Sequence, residues 1–197
     1  MTINQILEIG GAGFSIICSL LLMREKTIGW WFGIASSIIG VVLFYHTKLY
    51  AQSIISIYYV GVGVYGLWYW KKAEIKNEHI AVWKPLTHVY TIIIFTGLSL
   101  ACSYLFKNYT DSASPYLDSF ITLFGLLASI KEARKILSSW VYWFVINAGS
   151  VLLYYQQSMY YYAVLMVVYT LICIGGFISW YKIYKAHSIS EMSLRGN

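Results

Sequence analysis

Charge is scarce in this sequence. Of 197 residues only 11% are Asp, Glu, Lys or Arg, against roughly a quarter in ordinary soluble domains, and 59% are hydrophobic. That balance excludes a water-soluble globule. Proline is reduced to two residues, and 19 Tyr, 9 Phe and 8 Trp leave no room for a disordered tail, a collagen or a coiled coil. Cysteine appears three times, as Cys18, Cys102 and Cys173, each inside an apolar run, so we read them as packing residues rather than disulfide partners or metal ligands. Nucleotide-hydrolysing GxxxxGK[ST], the zinc motif HExxH and the nucleophile elbow GxSxG are all missing, which points away from an enzyme and from any cofactor or metal. No basic residue precedes the first apolar stretch, so that stretch is expected to be kept as a helix rather than cleaved.

What is present is apolar sequence in long runs. They extend over Ile6–Met23, Ile28–Tyr45, Tyr50–Trp70, Leu86–Phe106, Tyr116–Ile130, Leu137–Tyr155 and Tyr161–Tyr181. A helix needs about 20 apolar residues to cross a bilayer, and continuous rather than alternating apolarity excludes a membrane barrel. The expected fold is an all-α integral membrane protein with seven transmembrane helices. Most connections are short, and the one from Lys71 to Pro85 divides the chain.

The net charge of +6 is a topology signal rather than a nucleic-acid footprint. Arg24, Lys26, Lys71, Lys72, Lys76, Lys84, Lys131, Arg134, Lys135, Lys182, Lys185 and Arg195 fall in odd-numbered connections or the C-terminal tail, leaving Lys48 and Lys107 on the other side. The positive-inside rule then puts the N-terminus outside and the C-terminus in the cytoplasm.

An internal repeat is the strongest pattern in the chain. At an offset of 110, Trp30–Lys72 aligns without a gap on Trp140–Lys182, with identities that include Trp30/Trp140, Tyr45/Tyr155, Tyr50/Tyr160, Tyr59/Tyr169, Gly66/Gly176 and Trp70/Trp180. The offset continues backwards through Arg24/Arg134 and the acidic pair Glu8/Asp118. Helices one to three therefore match five to seven, giving two parallel three-helix repeats joined by a linker helix, a 3+1+3 plan. Its expected divisions are 1–72 for the first repeat, 73–110 for the loop and linker helix four, 111–185 for the second repeat and 186–197 for a cytoplasmic tail. Transporters built from repeats bind substrate near mid-depth where the repeats meet.

Counting along the runs places Ser37, Tyr59, Asn147 and Tyr169 close to the midplane, where polar groups need partners. Trp140, Trp143 and Asn147 share one helical face, and Gln52, Ser56 and Tyr59 share another that matches Tyr162 and Tyr169 in the second repeat. These nine residues are the candidate substrate-binding set. Trp30, Trp70, Trp140 and Trp180 also suit an interfacial belt at the cytoplasmic boundary, and Gly63, Gly66, Gly175 and Gly176 suit close helix packing. Glu8 and Asp118 are expected at the outer mouth. A small-molecule carrier is the leading reading, with a sugar carrier of the SWEET type or a non-transporting scaffold as alternatives.

The string LYAQSIISIYYVGVGVYGLWYW (Leu49–Trp70), the segment SWVYWFVINAGSVLLYY (Ser139–Tyr155) with its WxxW, and the closing GGFISWYKIYK together resemble the PnuC family of bacterial vitamin transporters. The resemblance implies a SWEET-like arrangement assembled as a homotrimer in the inner membrane. It further implies facilitated diffusion of nicotinamide riboside, with thiamine second, and trapping of the substrate by a cytoplasmic vitamin kinase. Trp140 and Trp143 would stack the vitamin ring, and Asn147 would bond a polar substituent. YGLWYW at Tyr65–Trp70 departs from the YGWYQW of the founding type, and this bears on which vitamin is carried.

Overall fold

The computed structural model describes residues 3–109, 114–156 and 158–195. It contains seven helices: α1 (Ile3–Met23), α2 (Gly29–His46), α3 (Tyr50–Lys76), α4 (Pro85–Tyr109), α5 (Pro115–Ala133), α6 (Ser139–Gln156) and α7 (Tyr160–Arg195). Each apolar run becomes one helix, because a helix satisfies its own backbone hydrogen bonds where lipid cannot. By length and apolarity α1, α2, α4 and α7 are able to cross a membrane. The boundary expected at 110/111 lies outside the described residues.

Three helices outrun their apolar runs. α3 continues to Lys76 and stops where Asn77 adopts a left-handed conformation, φ 56°. α7 continues to Arg195, so the expected tail from 186 onwards is helical as far as it is described. α5 runs through Lys131 and Glu132, which the sequence reading placed in a connection. Nothing in Ser129–Ala133 breaks a helix, and both charged residues are good helix formers.

Neighbouring helices form a closed ring. α1 packs on α2, α2 on α3, α3 on α5, α5 on α6, α6 on α7, and α7 back on α1, whereas α4 packs on α5 and reaches α6 through His88 and Tyr142. The link before α4 is held to the turn between α5 and α6: Ala81 N–H donates to Lys135 O at 2.9 Å and Leu137 N–H donates to Ala81 O at 2.9 Å.

The 110-residue offset reappears as matched geometry. Glu25 and Lys135 have φ of 55° and 52°, and Lys48 and Ser158 have 61° and 60°. Tyr45 meets Tyr50 edge-on at 5.9 Å, and Tyr155 meets Tyr160 at 5.8 Å. Trp30 meets Trp70 edge-on at 5.6 Å, as Trp140 meets Trp180 at 5.5 Å.

These last four rings correct the interfacial-belt expectation. Trp30, Trp70, Trp140 and Trp180 are 5%, 0%, 2% and 0% exposed, and Trp70 lies 5.8 Å from Trp180, so the four form a buried quartet joining both halves. Trp70 Nε1 donates to Ala133 O at 3.1 Å and Trp180 Nε1 donates to Leu22 O at 2.9 Å, each reaching into the other half. Two glycines admit the quartet. A Cβ on Gly66 would lie 2.6 Å from the Trp30 ring, and one on Gly176 would lie 2.4 Å from the Trp140 ring. The exposed tryptophans are instead Trp31 and Trp68.

Candidate functional site

Inside the ring, beside the quartet, side chains from five helices converge. Tyr59 of α3 and Trp143 of α6 approach each other over Gly125 of α5. A Cβ on that glycine would lie 3.2 Å from the Tyr59 hydroxyl and 3.9 Å from Trp143 Cζ3. Trp143 Nε1 donates to Glu132 Oε2 at 3.1 Å. Cys18 of α1, Tyr59 of α3 and Cys173 of α7 lie in the neighbourhood of Glu132. Glu132 is thus bonded to α6 and has neighbours on α1, α3 and α7. Cys18, Tyr59, Glu132, Trp143 and Tyr169 are each only half-buried.

The candidate residues divide into those that meet there and those that do not. Tyr59 and Trp143 meet directly through Gly125. Asn147 is buried on the same helix face as Trp143 and donates from Nδ2 to Cys173 Sγ at 3.4 Å, tying α6 to α7. Tyr169 lies near Ser15 and Cys18 of α1. Ser37 donates to Gly33 O of its own helix at 2.8 Å. Ser56 donates to Gln52 O at 2.9 Å, and its hydroxyl would lie 3.0 Å from a Cβ on Gly40, so it packs α3 on α2. The Gln52 side chain is exposed. Tyr162 donates to Glu8, joining α7 to α1 at the end of the bundle away from the quartet. Trp140 belongs to the quartet, and Trp180 and Gly176 already contact its ring.

Glu132, Cys18 and Ser15 were missed by the sequence reading. The repeat held a signal for Glu132: at the offset of 110 it replaces Leu22, which is 2% exposed, so an acid occupies an inward position. Its neighbour Lys131 replaces Leu21. The Lys131 side chain is fully buried, with its ammonium 3.4 Å from the Tyr142 ring centroid and 4.5 Å from that of Trp83. No described group of three or more His, Cys, Asp or Glu could hold a metal ion.

Comparison with known proteins agrees with this architecture. Residues 5–182 match the family described as Nicotinamide mononucleotide transporter. The nicotinamide riboside transporter PnuC of Escherichia coli (strain K12) is 21% identical over 201 residues, covering 88% of this chain and 84% of that protein. Its namesake from Neisseria mucosa is 23% identical over 190 residues, covering 88% of this chain and 71% of that one. The crystal structure of the vitamin B3 transporter PnuC superposes with a TM-score of 0.68 at 19% identity, over 92% of this chain and 83% of that one. With the family match running from the start of α1 into α7, this chain belongs to the nicotinamide mononucleotide transporter family.

Proposed function

We propose that this chain carries nicotinamide riboside across the bacterial inner membrane by facilitated diffusion, with thiamine as the second choice of substrate. The observation that carries the reading is the constellation inside the helix ring: two aromatic rings, an amide and a carboxylate, supplied by α3, α5 and α6, in a chain that is otherwise apolar. Polar groups at such depth are costly unless they serve a pathway. Nicotinamide riboside is a flat pyridinium cation, and rings of Trp and Tyr favour flat cations. The names of the relatives support the same substrate, and Glu132 favours the riboside over a mononucleotide, whose phosphate it would repel.

In this reading all seven helices cross the membrane, with two parallel three-helix repeats, α1–α3 and α5–α7, joined by α4. The ring of contacts and the matched geometry at the 110-residue offset support that plan. The N-terminus is outside and the C-terminus cytoplasmic, which sets the tryptophan quartet at the cytoplasmic end. Trp143 stacks on the vitamin ring, Asn147 bonds a polar substituent, and Tyr59 and Tyr169 line the path. Trp140 takes part only when the quartet loosens. The assembly is a homotrimer, and a cytoplasmic kinase that phosphorylates the vitamin makes uptake one-way. Titration calorimetry on purified protein tests the reading against nicotinamide riboside, thiamine, riboflavin and a hexose. Binding of nicotinamide riboside is expected, and binding of the hexose alone would move the chain to the sugar carriers.

A further inference from the structure

The carboxylate of Glu132 answers to Leu22 in the first half of the molecule and, among the described residues, has no ion-pair partner. Its Oε2 accepts one hydrogen bond, from Trp143 Nε1 at 3.1 Å. The two neighbouring lysines are committed elsewhere. Lys131 is directed onto the Trp83 and Tyr142 rings, and Lys135 pairs with Glu25 at 2.8 Å. Among the described residues no ion pair involves Glu132. Its neighbours on the other helices, Cys18, Tyr59 and Cys173, are thiols and a phenol. A half-buried carboxyl bordered by aromatic faces and without a protein cation gains from a cationic ligand, which would supply the counter-charge its ionised form lacks.

We infer that Glu132 is a substrate-binding residue that supplies the counter-charge for a cationic heteroaromatic ring held against Trp143 and Tyr59, and so sets both charge selectivity and the orientation of the ring. The inference rests on the transport reading and deepens it. The hydrogen bond fixes the indole edge-on to the carboxylate, which leaves the indole faces for stacking while the negative charge lies beside the stacked ring. Orientation follows from the asymmetry of the repeat. At the offset of 110 Glu132 answers to Leu22, Trp143 to Gly33 and Asn147 to Ser37, so charge, ring and amide are all concentrated on α5 and α6. The cationic end of the substrate is therefore held by the second half, and its neutral part faces the first.

Glu132→Gln tests this, since the amide oxygen can still accept from Trp143 while the charge is removed. Binding of nicotinamide riboside and of its uncharged 1,4-dihydro form is measured by calorimetry on detergent-purified wild type and variant. The variant is expected to bind the cation roughly tenfold or more weakly, the scale for removing one partner of a desolvated charge pair, and to bind the dihydro form as wild type does. Unchanged cation binding, or an equal loss for both ligands, overturns the charge role. Wild-type protein alone provides a second measurement if the variant misfolds. It is expected to prefer the cation over the dihydro form by roughly tenfold or more, and equal binding of the two overturns the inference. Wild-type protein that binds neither form removes the transport reading itself.

Discussion

Glu25 and Lys135 are separated by 110 residues in the chain and by 2.8 Å in space. They hold the same position in the two halves, both in left-handed backbone conformation, and they bond each other across the junction. Lys135 also lies 5.0 Å from the centroid of Trp70 in the quartet. The ion pair and the quartet therefore form one cross-link between α1–α3 and α5–α7 at a single end of the bundle.

Breaking that ion pair from one side should destabilise the fold. The Lys135 and Glu25 side chains are 6% and 18% exposed, so Lys135→Met leaves a largely buried carboxylate alone at a cost of about 3 kcal/mol. The exchange Glu25→Lys with Lys135→Glu should restore most of the loss, because the two positions are equivalent in conformation. Thermal unfolding in detergent of the single and exchanged variants measures both effects. An exchange no better than the single change would show that the two positions are not interchangeable.

Glycine substitutions separate packed from open positions along α3 and α7. Gly176→Ala drives a Cβ to 2.4 Å from the Trp140 ring, and Gly66→Ala drives one to 2.6 Å from Trp30. Overpacking of this kind costs on the order of 1 to 3 kcal/mol. Gly61→Ala meets nothing within 4 Å and should leave the melting temperature unchanged or raise it.

The two tryptophans of the WxxW should part company. Trp143→Ala removes an interior ring and should weaken nicotinamide riboside binding by about tenfold or more, with Trp143→Phe recovering part of the loss. Trp140→Ala should chiefly lower stability, by about 3 kcal/mol, because its ring is 2% exposed within the quartet. Trp30→Ala should resemble Trp140→Ala, since Trp30 holds the matching place against Gly66 and Trp70. Calorimetry together with thermal unfolding distinguishes the two behaviours.

The helices were legible in the sequence because apolar runs leave the backbone few other options, and starts such as Tyr50 and Pro115 came within a residue of the apolar boundary. The aromatic identities at the offset of 110 pair residues whose ring contacts also match, as Trp30 on Trp70 matches Trp140 on Trp180. Hydropathy failed where charge enters a helix: Lys131 and Glu132 look like a loop until their cation–π and Trp143 contacts are seen. Likewise, the quartet resembled a belt because depth can be counted along a helix, whereas the direction a ring faces depends on its neighbours. Gly66 and Gly176, matched at the same offset as the tryptophans they admit, were the clue that those rings turn inward.

Orientation has its own test. A reporter active only in the cytoplasm should work when fused after Asn197 and fail when fused before Met1. The reverse pattern would overturn the assignment made from the clustering of Lys and Arg.

Uptake of labelled nicotinamide riboside into liposomes containing the purified protein tests the central claim most directly. The label is expected to enter until inside and outside concentrations are equal, at the same final level with or without an imposed sodium or proton gradient. No entry above protein-free liposomes would contradict transport of this substrate, and accumulation driven by either gradient would contradict facilitated diffusion.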